Sequence, residues 1–252
     1  WDKWLAGQTW SNFQDVAALP DAVDFVGPTE GTIFVRQAQL RYTSGPWSVS
    51  VENPETTVSP YLTGARISSD DNTVPDVTAR YLHKAAWGHF TVAGLVRQLK
   101  YQTPFLDESD TAFAISVSGK WNVGANDDIR YMYSYGSGIG RYLGFGLGSD
   151  ALQEADGSLQ ALDGQGGYVA WRHAFNPKLR GNLFVSAASY DNNPLTSGLA
   201  VTRSARSIHA NLIYTVLPKL EIGAEFIHGN REIESGLDGD IRRLHMHVKY
   251  SF

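Results

Sequence analysis

Ten basic side chains recur along the chain, mostly between apolar neighbours: Arg41, Arg80, Lys84, Arg97, Lys120, Arg130, Arg172, Arg180, Arg243 and Lys249. Only four acids, Glu52, Asp128, Glu221 and Glu225, occupy comparable positions. A guanidinium or ammonium beside water replaces part of an anion's hydration by charge-assisted hydrogen bonds. Other constellations offer different chemistry. Ser207 with His209, or Asp240 with His245, are the residue types of a hydrolase, but neither pair has a distinctive sequence context. His245 and His247 lie two apart on one strand face; a zinc site would need a third ligand such as Glu225 or His209, and wet polar histidines are the plainer reading. Gly144-Phe145-Gly146-Leu147-Gly148 partly mimics a dinucleotide fingerprint, without the buried strand and βαβ unit that motif needs. The expectation is therefore no catalysis, no metal and no cofactor.

The chain has 252 residues, no cysteine, a formal net charge of −5, 19 % charged residues and 25 glycines. Absence of cysteine excludes a disulfide scaffold, cysteine-ligated metal and a cysteine nucleophile. Mild acidity argues against nucleic acid as a partner, since that interface needs a basic face. Charge is sparse for a soluble domain, yet no apolar run reaches the roughly 18 residues of a membrane helix. The start at Trp1, without an initiator Met, reads as processed or truncated.

The elements that position the basic residues follow from alternation. Near the C-terminus, Leu244, Met246, Val248, Tyr250 and Phe252 share one parity, while Arg243, His245, His247, Lys249 and Ser251 share the other. Period two is the signature of a strand with one apolar face. The pattern recurs in twelve segments: about 3–13, 32–43, 47–54, 76–87, 90–101, 113–123, 128–135, 165–175, 179–187, 207–216, 220–228 and 240–252. The first alternates poorly, and the face of Arg36 relative to Arg41 is ambiguous. Most segments match the roughly 9–11 residues of a tilted membrane strand rather than a typical soluble strand.

Short turns (44–46, 88–89, 124–126, 176–177, 218–219) alternate strictly with longer connections (14–31, 55–75, 102–110, 136–164, 191–202, 229–239). Outer-membrane barrels segregate loops in this way, with short turns in the periplasm. Trp47, Trp87, Phe90, Trp121, Phe175, Tyr250 and Phe252 lie beside the short turns or the C-terminus, as an interfacial girdle would. The expectation is one transmembrane antiparallel up-and-down β-barrel over 1–252. It would cross the bacterial outer membrane many times, with periplasmic termini and lipid and lipopolysaccharide as partners. Acidic loops could also hold cations that bridge lipopolysaccharide phosphates, although a solvated acidic rim is the plainer reading.

The apolar parity then faces lipid and the polar parity a water-filled lumen. Ten basic against four acidic strand residues predict anion preference; mutual pairing of these charges would instead only stiffen the tube. Arg80, Arg97, Arg41 and Arg36 form the expected ladder, extended by Arg130, Arg172, Arg180 and Arg243, with Lys84, His245 and Lys249 also lining the pore. Connection 14–31 is too apolar for a loop in water, with Val16, Leu19, Val23, Phe25 and Val26. Folded inward, it would bury these, narrow the pore and set Asp21 and Asp24 against wall arginines. Packing on a neighbouring subunit is the alternative.

These segments resemble the DcaP-like family of outer-membrane porins. The resemblance is carried by Gly7-Gln8-Thr9-Trp10-Ser11-Asn12-Phe13, Ala18-Leu19-Pro20-Asp21, Asp24-Phe25-Val26-Gly27-Pro28, Val35-Arg36-Gln37 and Arg41-Tyr42. The ending Lys249-Tyr250-Ser251-Phe252 is similar to the assembly signal of outer-membrane proteins generally. The resemblance implies a homotrimer of 16-stranded barrels passing small anionic solutes such as dicarboxylates, with the third outer loop as constriction. Here the constriction-like segment is the first loop, so the expectation is that four strands precede this chain in its parent. The alternatives are a complete 12-stranded monomeric channel for acidic oligosaccharides and, in a different class, an outer-membrane hydrolase.

Overall fold

The computed structural model describes residues 3–251. Phe252, expected in the girdle and the terminal signal, lies outside them. Twelve antiparallel strands form one sheet in strict chain order. They are β1 (Trp4–Trp10), β2 (Arg36–Ser44), β3 (Trp47–Glu52), β4 (Asp76–Ala85), β5 (Gly88–Thr103) and β6 (Leu106–Val123). Then follow β7 (Asp127–Ser137), β8 (Asp163–Asn176), β9 (Leu179–Tyr190), β10 (Thr202–Leu217), β11 (Leu220–Ile233) and β12 (Asp238–Tyr250). All twelve expected segments are strands.

The two faces invert the soluble rule. On β6, Phe113, Ile115 and Trp121 are 58 %, 50 % and 57 % exposed, while Ser116 and Ser118 are buried. Exposed outward parities on other strands carry Val49, Val51, Val169, Leu183, Leu212 and Phe226. Every strand hydrogen-bonds its neighbour, which is what a strand must do in hydrocarbon.

Two of the longer connections differ from expectation. Residues 102–110 and 229–239 are not long loops: β5 and β6 run on to a turn at Pro104-Phe105, and β11 and β12 to one at residues 234–237. The reason for the first extension is packing. Leu99 and Ala112 on that hairpin are buried against Val58, Ala151 and Leu159. The last three belong to a four-stranded accessory sheet built from Thr56–Ser59, Ile67–Ser69, Ala151–Gln153 and Leu159–Ala161. Residues 144–146 form a single 3-10 turn within the connection between β7 and β8.

The main apolar cluster lies on the polar side of the wall. Phe13, Ile33 and Val35 pack there with Ile139, Tyr142 and Leu143, and with Leu95, Met132, Tyr168 and Tyr190 of the strands. The connection between β1 and β2 therefore crosses the inner face. Gly31 makes the closest approach: a Cβ there would stand 2.2 Å from the Gly167 carbonyl oxygen.

Candidate functional site

The β1–β2 connection follows the inner face from β5 round to β12 and returns. Its first carboxylate anchor is Asp15, whose Oδ2 accepts from Thr91 Oγ1 (2.8 Å) and Ser118 Oγ (3.1 Å) and meets His89 Nε2 at 2.9 Å. Arg130 and Tyr168 donate to the carbonyls of Leu19 (2.5 Å) and Ala18 (3.0 Å). Asp21 Oδ2 lies 2.6 Å from Arg180 Nε and 3.5 Å from Arg172 Nε. Asp24 Oδ2 lies 3.2 Å from His245 Nδ1 and 3.5 Å from Arg243. On the way back, Gly31 N–H donates to Ser186 Oγ at 3.0 Å. Asp21 and Asp24 thus face wall arginines. Ala18 and Val23 are buried, but Phe25 is 84 % exposed at the far bend, so this loop does not bury all its apolar residues.

The expected basic residues fall into three groups. Lys120, Arg130, Arg172, Arg180 and Arg243 are matched by carboxylates. Asp128 serves the first three at 2.8–3.6 Å, and Glu221 takes two hydrogen bonds from Arg180 at 2.7 and 2.9 Å. Arg41, Arg80 and Lys84 form the second group. They line one cavity of about 270 Å³ beside Gln14 and His89. Arg41 donates to Gln39 and the Trp10 carbonyl, and Arg80 to the Gln14 carbonyl at 3.2 Å. Among the described residues, none of the three has a carboxylate within 4.0 Å. Lys249 is exposed near the end of β12, opposite Glu221 in the register.

The third group corrects the expectation. Arg97 is on the inner parity but its side chain is fully buried, so no solute reaches it. Its Nη1 lies 2.8 Å from Asp150, and its Nε 3.4 Å from Asp76. The 138–162 connection folds back over it, and Arg141 joins the cluster 3.3 Å from Asp76. Both guanidiniums lie over the Tyr142 ring, at 5.3 and 5.6 Å. Burial, with Asp76 and Glu52 nearby, pushes the Tyr142 hydroxyl well above its ordinary range, so it remains a donor to Asp76. Arg36 is the second correction. It shares parity with Leu40 and Tyr42 on the outer face of β2, opposite Trp10, whereas Gln37, Gln39 and Arg41 face inward. A long cationic side chain at a strand end on that face reaches the headgroup level.

Of the alternative constellations, Ser207 and His209 are brought together at 2.9 Å, with His209 Nδ1 2.9 Å from Glu225. The Ser207 hydroxyl also donates to Glu30, so its proton is not reserved for the imidazole. Asp240 bonds Asn230 on the opposite parity and does not meet His245. His247 turns to the Val23 carbonyl at 3.3 Å rather than joining His245. The sequence reading missed Asp15, Glu30, Arg141 and Asp150. Their roles depend on connections crossing the wall, and only the apolar content of 14–31 signalled such a crossing.

A charged inner face, a lipid-compatible outer face and an inward-crossing connection are the parts of a pore. The family model for the DcaP outer membrane protein matches residues 1–252. The outer membrane channel DcaP of Acinetobacter baumannii superposes with a TM-score of 0.85 at 27 % identity, over 99 % of this chain and 72 % of that one. OmpT of Vibrio cholerae shares the fold alone, with a TM-score of 0.57 at 11 % identity over 98 % and 75 %. So does OmpF of Salmonella typhi, in complex with daunomycin, at 0.52 and 12 % over 95 % and 73 %. The comparison with curated proteins gives no match. The chain thus belongs to the DcaP outer membrane protein family, a family of bacterial outer-membrane channels with the porin fold.

Proposed function

We propose that this channel is a passive diffusion pore preferring small anionic solutes, dicarboxylates among them. One observation carries the reading: Arg41, Arg80 and Lys84 line one cavity beside the inward connection, three cations against the single carboxylate of Asp15, which is held by His89, Thr91 and Ser118 and lies beyond 4.0 Å from each of them. Their charge is available to a passing solute, whereas the charge on Arg130, Arg172 and Arg180 is largely balanced in place. An anion entering from water exchanges part of its hydration for these donors and leaves again because no single site encloses it. Asp21 and Asp24 on the connection, facing arginines of the wall, orient dipolar solutes in a transverse field. In this reading residues 14–31 are the constriction, Phe25 marks its far bend, and His245 and Lys249 complete the cationic lining.

The same reading makes the assembly a homotrimer in outer-membrane lipid and lipopolysaccharide with periplasmic termini. A trimer form is recorded for the similarly folded OmpT. Reversal potentials across a salt gradient test the selectivity: anion preference is expected, and cation preference overturns the reading. Native mass in detergent tests the trimer.

A further inference from the structure

Two limbs of the inward connection pass β10 and β11, and each is tied there by a carboxylate contact. On the outgoing limb, Val23 N–H donates to Glu225 Oε2 at 2.7 Å. On the returning limb, Glu30 accepts a hydrogen bond from Ser207 Oγ. The two ties are joined through the wall. Ser207 Oγ lies 2.9 Å from His209 Nε2, and His209 Nδ1 lies 2.9 Å from Glu225 Oε1. Asn211 Nδ2 also donates to Glu225 Oε2, at 2.8 Å. The imidazole is stacked on Phe184 at 4.5 Å. Glu225, His209 and Glu30 are 0 %, 3 % and 7 % exposed.

The chain Glu30–Ser207–His209–Glu225 contains three hydrogen bonds and so needs three hydrogens. Ser207 supplies one. A neutral imidazole supplies one, and an imidazolium two. Glu225 Oε2 accepts from two N–H groups, as an ionised carboxylate does. The chain therefore closes only while it holds one proton more than a neutral imidazole and two carboxylates provide. When that proton leaves, the single Ser207 hydrogen serves either Glu30 or His209. The other link is then left with two acceptors facing each other, a costly arrangement in a buried site.

We infer that Glu30, Ser207, His209 and Glu225 form a one-proton latch that positions both limbs of the inward connection and so sets the aperture. This rests on the reading of that connection as the constriction. The latch is complete when the proton is present and loses one of its three links as pH rises, which loosens the hold of the wall on both limbs. Its proton exchanges through a water-accessible cavity of about 430 Å³ lined by Ser207, His209, Asp24, Arg231, Asp240 and Arg243. Arg206 also lines it, and these are its other charged neighbours there. Asp24 is engaged by His245 and Arg243, Arg231 by Thr202 and Asp240 by Asn230.

Single-channel conductance over about pH 5 to 9, the range in which histidine commonly titrates, is the test. The native channel is expected to show one step, with higher and noisier conductance on the alkaline side. Ser207→Ala removes two links and should lose the step, staying at the alkaline level. Glu30→Gln should also lose it but stay at the acid level. The amide donates to Ser207 Oγ, which frees the hydroxyl hydrogen for a neutral His209, and all three links persist. A native channel without a step overturns the latch. So does a step retained in Glu30→Gln, as His89–Asp15 or His245–Asp24 would produce, or S207A held at the acid level. Reversal potentials on the same channels separate the two readings. Anion preference without the step fails the latch alone, and the step with cation preference fails the selectivity alone.

Discussion

A cation in this channel matters according to what stands beside it. Arg80 and Lys84 are on one strand, one position out of phase with the Ala79 and Tyr81 side of β4, and have no carboxylate within 4.0 Å. The double substitution Arg80→Ala and Lys84→Ala is expected to shift the reversal potential toward zero, while Arg180→Ala leaves Glu221 without its guanidinium and Asp21 with Arg172 alone, and shifts it further, toward cations. Arg97 behaves oppositely. Removing one partner of a buried ion pair costs about 3–5 kcal/mol, so Arg97→Ala should lower the urea midpoint of the folded barrel with little direct effect on selectivity. The difference between Arg80 and Arg97 was not legible in the sequence. Both sit on the inner parity of their strands, and the partners of Arg97, Asp76 and Asp150, come from separate parts of the chain. Arg36 was illegible for a local reason. It stands at the first position of β2, where too little alternation precedes it to fix its side.

Strands were read well because each carries its own evidence. Outward Phe113 and Ile115 alternate with inward Ala114 and Ser116 on β6, and no partner is needed to see this. Ile115→Arg would place a charge on the lipid face and should cost about 2–4 kcal/mol if it lies near the bilayer midplane, measured by refolding into vesicles. Connections were read less well. The 102–110 segment contains Pro104 and several acids and looks like a loop, yet it is a hairpin end held by Leu99 and Ala112 against the accessory sheet. That sheet joins two distant connections, including a parallel pairing of Ala151 with Val58, and no local pattern announces it. The inward connection was legible in kind, through its apolar residues, but not in path. Its path depends on Gly31 lying against Gly167. Gly31→Ala has no room against that backbone oxygen and should lift the returning limb, raising open-channel noise in single-channel records.

For the whole molecule, the charge balance is divided by location. The chain is acidic overall at −5, while its inner wall keeps unpaired cations at Arg41, Arg80 and Lys84. Selectivity built on such exposed charges is screened by salt, with a Debye length of roughly 30 Å at 0.01 M and 3 Å at 1 M. Anion preference from reversal potentials at a fixed salt ratio should therefore shrink as both sides are concentrated, and a salt-independent ratio would point to steric selection instead. What the sequence determined by itself is the wall: twelve strands, their lipid and inner faces, and the antiparallel order. These follow from period-two alternation and connection length, which are properties of neighbouring residues. What only the tertiary structure decided is which inner charges are free. That depends on where the β1–β2 and β7–β8 connections come to lie. Asp21, Asp24 and Asp150, which they bring across the wall, each lie against an arginine far away in the chain, and pairing at that range leaves no periodic trace in the sequence.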